Sequence, residues 1–280
     1  MLDRAAVPIA FPELDSPTFL AESGQKYVFR GRRGAEEVVL KIFKAGQEQK
    51  RIDREIQAVA QLSCDYVPPV LASGQRTIDG KMWSFLVERF VAGESYRAVL
   101  QRTPVQSLRE VLPLGEALLR ACCDFEAEHM VHRDIKPENL ICGRDGKLWV
   151  IDFGIVRLLR LTSATQTQQR FGLFTPGYGA PEQVRNLKPK IDIKADLFSV
   201  GVVLYEALHG ANPYRAGKHN ELEVIQHVCN WDLPPLVLSG DSEGKLSELI
   251  GALTARFPSR RPQTAQEALL WWQEVAANLS

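Results

Sequence analysis

Four polar residues, Asp134, Lys136, Asn139 and Asp152, cluster around one loop and one short hairpin. The stretch Leu140 to Ile151 reads as two strands turning at Gly143-Arg144-Asp145-Gly146. Asn139 precedes the first strand and Asp152 follows the second, so the turn returns both side chains to one end. A carboxylate and an amide oxygen placed together are hard ligands, suited to a magnesium ion carrying phosphates. Asp134 lies just upstream, in His132-Arg133-Asp134-Ile135-Lys136-Pro137-Glu138-Asn139. A carboxylate there would orient a hydroxyl nucleophile and accept its proton, and Lys136 would neutralise charge on a transferred group. Phosphoryl transfer asks chiefly for positioning and charge stabilisation, and this set supplies both. Any one of these residues would also suit an ordinary polar loop; the whole string singles the site out.

Lys41 and Glu55 form a second constellation. Lys41 interrupts the apolar strand Val38 to Phe43, and Glu55 lies beside Ile52, Ile56 and Val59 on the inward face of a helix. Charges on two buried faces are expensive unless paired. The spacing therefore predicts a Lys41–Glu55 ion pair that leaves the ammonium able to touch phosphate oxygens.

The elements that must hold these residues are legible in outline. Tyr27 to Phe29 and Val38 to Phe43 read as strands joined by a turn at Gly31 to Gly34, and Trp83 to Val91 as a further strand. Helical spacing runs from about Gln47 to Leu62. Beyond Ala92-Gly93-Glu94-Ser95 the chain reads as mostly helical, with long helices over Leu108 to Met130 and Ala195 to Leu208, the second ended by Gly210. Leu197, Phe198, Val200, Val202, Val203 and Leu204 make the second apolar on nearly all sides, as in a helix buried inside a lobe. The expected fold class is α+β with two lobes: residues 1–91 as a small β-rich lobe with one main helix, and 92–280 as a larger helical lobe. The Trp271-Trp272 pair is expected to give at least one ring to the core of a final helix.

The chain has 280 residues, 45% of them apolar and 24% charged, with a formal net charge of zero. That describes a soluble globular protein with no general affinity for nucleic acid or anionic membranes. Five cysteines without a C-x-x-C pair fit free thiols in a reducing compartment. The first eleven residues lack the basic start and unbroken apolar centre of a signal peptide. No run approaches the ~18 apolar residues of a membrane span. A cytoplasmic protein is expected, of unspecified oligomeric state.

Taken in order, these pieces resemble the eukaryotic-like Ser/Thr protein kinases. Val38-Val39-Leu40-Lys41 resembles the strand bearing that family's ATP-positioning lysine, with Glu55 similar to its helix partner. His132 to Asn139 resembles the catalytic loop and Asp152-Phe153-Gly154 the metal-binding triplet. Thr175 to Glu182 is similar to the end of the activation segment, Asp196 and Ser199-Val200-Gly201 to the start of the central buried helix, and Arg261 to the arginine that pairs with Glu182. The resemblance implies transfer of the γ-phosphoryl group of ATP to Ser or Thr hydroxyls of proteins. Asp134 would be the base, Lys136, Lys41 and Glu55 its companions, and Asn139 and Asp152 the Mg²⁺ ligands. It also implies nucleotide contacts from Val28, Val39 and Ile141 and from the strand end Glu88, Arg89, Phe90 and Val91, with either Val87 or Glu88 as gatekeeper. Lys136-Pro137-Glu138-Asn139 is the Ser/Thr form of the loop, and Thr175 is expected to bond Asp134 and Lys136. Arg133 beside Asp134 suggests tuning by activation-segment phosphorylation, with Thr162, Ser163, Thr165 and Thr167 as acceptors. Thr175 to Gln183 resembles bacterial members in style.

The pattern departs in places. Ala21, Ser23 and Lys26 stand where glycines would cover the phosphates, with only Gly24 nearby, and Phe174 stands where a glycine commonly precedes Thr175. A pseudokinase acting as a nucleotide-binding switch or scaffold is the alternative class, supported by that degenerate loop alone. A small-molecule kinase is a third, opposed by the peptide-docking stretch Thr175 to Glu182 and by Arg261.

Overall fold

The computed structural model describes residues 1–23, 26–44, 49–153, 174–187 and 191–279, with the side chains of residues 49–52, 54 and 55 outside the description. The chain divides into two compact units. Of the described residues, the first includes Met1–Ser63 and Pro68–Ala92, and the second Cys64–Val67 and those from Gly93 on.

The first unit is built on an antiparallel five-stranded sheet, β1 (Asp15–Glu22), β2 (Lys26–Arg33), β3 (Glu36–Phe43), β4 (Val70–Ile78) and β5 (Lys81–Arg89), in the order β1-β2-β3-β5-β4. The β2–β3 hairpin turns on two residues, and Gly34 supplies the positive φ of +62° that the turn requires. Strand alternation then sorts the side chains. Val38, Leu40 and Ile42 of β3 face Tyr27, Phe29, Phe85 and Val87 in an apolar core. Val39 and Lys41 lie on the opposite face, paired across the ladder with Glu88 and Leu86, and with Arg30 and Val28 on the other side.

Two strands were not legible in advance. β1 and β4 are the edges of the sheet, and β1 exposes nearly every residue, so neither needs the apolar alternation that marks a buried strand. The first eleven residues carry no period long enough to announce an element. They form a 3₁₀ turn over Arg4–Ala6 and a short helix α1 (Val7–Ala10), which bury Leu2, Val7 and Phe11 in the core. Phe11 meets Phe85 edge to face at 5.0 Å. Helix α2 (Gln49–Gln61) buries Ile56 and Val59. Its Asp53 carboxylate accepts from Ser84 Oγ at 2.5 Å and Gln75 Nε2 at 2.6 Å, fastening the helix to β5 and β4.

The second unit opens with β6 (Gly93–Ser95) and continues through α3 (Tyr96–Arg102) and α4 (Leu108–Ala127). A second sheet follows, in which β6 and β8 (Leu148–Val150) flank β7 (Leu140–Gly143). The remaining helices are α5 (Pro181–Val184), α6 (Ile193–His209), α7 (Glu221–Asn230), α8 (Lys245–Leu253) and α9 (Ala265–Leu279). A reciprocal capping box starts α4, with Ser107 N–H donating to Glu110 Oε2 at 2.8 Å. Helix α6 is buried along nearly its whole length and ends at Gly210, whose φ of +89° makes a left-handed cap. Trp272 is the buried member of its pair. Its indole rests on Gly115 of α4, where a Cβ would come within 2.1 Å of the ring, and donates to Leu112 O at 3.2 Å.

Candidate active site

The loop ahead of β7 converges on one carboxylate. Thr175 Oγ1 donates to Asp134 Oδ1 at 2.7 Å, and Lys136 Nζ lies 3.1 Å from Asp134 Oδ2 and 3.0 Å from Thr175 Oγ1. Asn139 Nδ2 donates to Asp134 O at 2.9 Å and to Asp134 Oδ2 at 3.1 Å. Both amide hydrogens of Asn139 are thereby directed at Asp134, so its carbonyl oxygen is turned away from that carboxylate and suited to accept from, or ligate, something else. The hairpin does what its turn predicts: Ile151 N–H donates to Asn139 O at 2.9 Å, which places Asn139 and the start of the Asp152 segment side by side.

Behind this cluster stands a scaffold that sequence reasoning noted only as the start of a helix. Asp196, in the first turn of α6, is fully buried and accepts the main-chain N–H groups of His132 at 2.6 Å and Arg133 at 2.8 Å. Burial raises this carboxyl to about 7, against the opposing pull of the two N–H donors. The contact clamps the loop onto the central helix. Phe153 packs against Phe125 at 4.9 Å and His132 at 4.5 Å, and His132 Nε2 lies 3.1 Å from Ile151 O. His132 and Phe153 are thus core pieces that flank the Asp134 and Asp152 stretches. Arg133 and Asp152 both adopt positive φ, 66° and 63°, a conformation costing about 1–3 kcal/mol at non-glycine residues that surrounding contacts must enforce.

The segment after Thr175 is fastened from two sides. Glu182 and Arg261 make a bidentate, fully buried pair at 2.6 and 3.0 Å, the pairing expected from the sequence. Arg97 of α3 bridges Glu206 at 2.7 Å, Glu138 at 2.8 Å and the Tyr178 hydroxyl, which itself donates to Glu206. Nothing in single-sequence patterning marks Arg97, because its partners come from three separate stretches. Phe174 packs over Gly179, where a Cβ would approach it to 2.4 Å, so the bulky residue before Thr175 is matched by a glycine after it.

In the first unit Lys41 is buried and ion-paired with Glu88 of β5. The side chain of Glu55 lies outside the described residues, as do Gly24, Gly154, Thr162, Ser163, Thr165 and Thr167. Val28, Val39, Lys41 and Glu88 share one sheet face, whereas Val87 is in the core on the other, which leaves Glu88 as the gatekeeper candidate. At the strand end expected to meet the nucleotide, Arg89 N–H donates to Pro69 O at 3.0 Å and Phe90 N–H to Glu37 O at 2.9 Å, so these two main-chain donors are already engaged. In the turn that replaces the glycine loop, Ser23 N–H donates to Lys26 O at 2.9 Å and Lys26 N–H to Ser23 Oγ at 3.2 Å. These two amides close the turn instead of facing outward. Ile141 sits half-buried in β7, opposite Ser95 and Trp149.

Among the described residues, no group of three or more His, Cys, Asp or Glu side chains is placed to hold a metal by itself. A divalent ion held by Asn139 and Asp152 would draw its remaining ligands from phosphate and water, the usual habit of Mg²⁺. No helix among the described residues is long and apolar enough to cross a membrane.

The family model for the protein kinase domain matches residues 22–270. The chain is 32% identical over 190 residues to a probable serine/threonine-protein kinase PknB of Bifidobacterium longum, covering 66% of this chain and 27% of that protein. It is 33% identical over 233 residues to serine/threonine-protein kinase PknA of Mycobacterium tuberculosis, covering 82% and 52%. Against serine/threonine-protein kinase Aurora-2 of Arabidopsis thaliana the identity is 28% over 243 residues, covering 85% and 82%. The chain spans only about a third of the length of the PknB relatives.

Proposed function

Because the chain belongs to the protein kinase family, we propose that it transfers the γ-phosphoryl group of ATP to Ser or Thr hydroxyls of protein substrates. The observation that carries this reading is the Asp134 cluster, in which Thr175, Lys136 and Asn139 all bond one carboxylate. Bound ATP with a divalent metal, proposed as Mg²⁺, supplies the phosphoryl group and shields its charge. Asp134, fixed on two sides, orients the acceptor hydroxyl and takes its proton. Lys136 stands 3.1 Å from that carboxylate, where it stabilises charge gathering on the transferred group. Asn139 and Asp152 would hold the metal, and Lys41 would hold phosphate oxygens, steadied by Glu55. Val28, Val39, Ile141 and the Glu88–Val91 strand end would hold the nucleotide. Residues 1–91 serve as the nucleotide-binding lobe and 92–280 as the catalytic and docking lobe. Control by phosphorylation of the segment containing Thr162 to Thr167, and a cytoplasmic location, complete the proposal.

The test is incorporation of labelled phosphate from ATP and Mg²⁺ into the protein itself and into generic protein substrates. Asp134→Asn should lower incorporation at least about 100-fold while ATP affinity stays within about twofold. An Asp134→Asn variant as active as the parent would overturn the assignment of the base. ATP binding with no transfer to any protein by the parent would instead favour a nucleotide-binding switch.

A further inference from the structure

The structure assigns to Glu88 the role of a positioning residue that aims the Lys41 ammonium from the neighbouring strand, an inference that rests on the kinase reading above. Three observations carry it. Lys41 and Glu88 are ion-paired, and both are more than nine-tenths buried, at 5% and 8% exposure. The β3–β5 register pairs Lys41 with Leu86 and Val39 with Glu88, so Glu88 is the diagonal neighbour of Lys41 on one sheet face. A diagonal separation of about 7–8 Å between backbones suits two long side chains that meet end to end.

The consequence lies in how firmly the two partners are held. β3 and β5 are joined by a continuous ladder from Val38 opposite Arg89 to Phe43 opposite Ser84. That ladder fixes the main chain beneath both side chains, so only side-chain rotation, hindered by their burial, can part the carboxylate from Lys41. The expected partner Glu55 is delivered by helix α2, which the Asp53–Ser84 bond fastens to the same β5 face. On that face of β5, Ser84 and Glu88 flank Leu86, with Ser84 holding the helix and Glu88 the lysine. An ammonium has three donors, so a bond to Glu88 engages only one of them and directs the group along the sheet face. Lys41 is therefore aimed by a partner on its own sheet, in addition to whatever α2 contributes.

Two measurements on the full chain test this. The first needs no nucleotide: thermal unfolding of the parent, Lys41→Met, the near-isosteric Glu88→Gln, and the double variant. Removing one member of a buried pair should lower Tm by about 6 °C or more. Removing both should cost clearly less than the sum of the single losses. The second is ATP affinity by titration calorimetry on the same four proteins, with the KM for a peptide acceptor as control. Glu88→Gln should weaken ATP about tenfold and leave the peptide KM unchanged. In the Lys41→Met background it should do nothing further, since its effect runs through the lysine. Additive Tm losses, or a Glu88→Gln protein that binds ATP within twofold of the parent, would overturn the inference. Absence of ATP binding by the parent would sink the kinase reading, and the Tm cycle would still decide whether the pair exists.

Discussion

At the scale of single residues, the site is one carboxylate with its freedom removed. Asp134 could rotate in an open loop, but Thr175 fixes one oxygen while Lys136 and Asn139 meet the other. Hydrogen bonds to charged groups contribute about 1.5–3 kcal/mol each. Thr175→Ala should accordingly lower kcat/KM for a protein acceptor by roughly 10- to 100-fold, whereas Thr175→Ser, which keeps the hydroxyl, should stay within about threefold. Steady-state kinetics on the two variants checks this, and equal losses would show that the methyl group matters more than the bond. Most of these side chains were legible in the sequence, because the loop and the hairpin fix their mutual placement within one short stretch. The Lys41–Glu88 pair was not. Diagonal partners on a sheet depend on register, and nothing in the two strand sequences specifies which residue of one stands opposite which of the other.

At the scale of elements, buried polar contacts between distant stretches keep the helical unit in order. Glu182 in α5 and Arg261, 79 residues later, form a deeply buried ion pair of this kind, with Arg261 also donating to Ala255 O at 2.7 Å and Lys194 O at 2.8 Å. Leaving either charge alone in that interior costs about 3–5 kcal/mol. Glu182→Ala or Arg261→Ala should lower Tm by about 6–20 °C, read by differential scanning calorimetry. A fall of less than 2 °C would mean that water reaches the orphaned partner. The elements foreseen are β2, β3, β5, α2, α4, α6 and α9, each with an apolar face or surround, and the β7–β8 hairpin, marked by its turn. Those not placed one by one include β1 and β4, which lie at the sheet edges, the short elements α1, α3, α5 and β6, and the helices α7 and α8, which were covered only by the expectation of a mostly helical second half. Helix ends moved by a few residues: α4 stops at Ala127 and not at Met130.

At the scale of the whole molecule, the cysteines share one environment. All five are free thiols; Cys122 is fully buried and the other four half-buried. Burial pushes Cys64 up to about 12 and Cys123 up to about 11. The thiolate is the reactive form, so each unit of elevation removes about tenfold of reactivity at neutral pH. Alkylation of Cys64 and Cys123 by iodoacetamide at pH 7.5 should therefore run at least about 100-fold slower than that of free cysteine, and should accelerate as pH rises toward 11. Peptide mass spectrometry over a time course reads both sites, and rapid labelling in the native protein would show that the thiols are more open than described.

The seating of Trp272 on Gly115 carries a last implication, for the order in which the protein is made. The indole of α9 and the Leu112 carbonyl it bonds are 160 residues apart in the chain. At ribosomal rates of about 5–20 residues per second, the groove on α4 emerges roughly 8–30 s before its filler. Throughout that interval a helix with an apolar seam and a vacant glycine notch is exposed to whatever the cell offers. A side chain at Gly115 would meet no obstacle until α9 arrives and would then keep the indole from seating, so its cost falls on the last step of assembly.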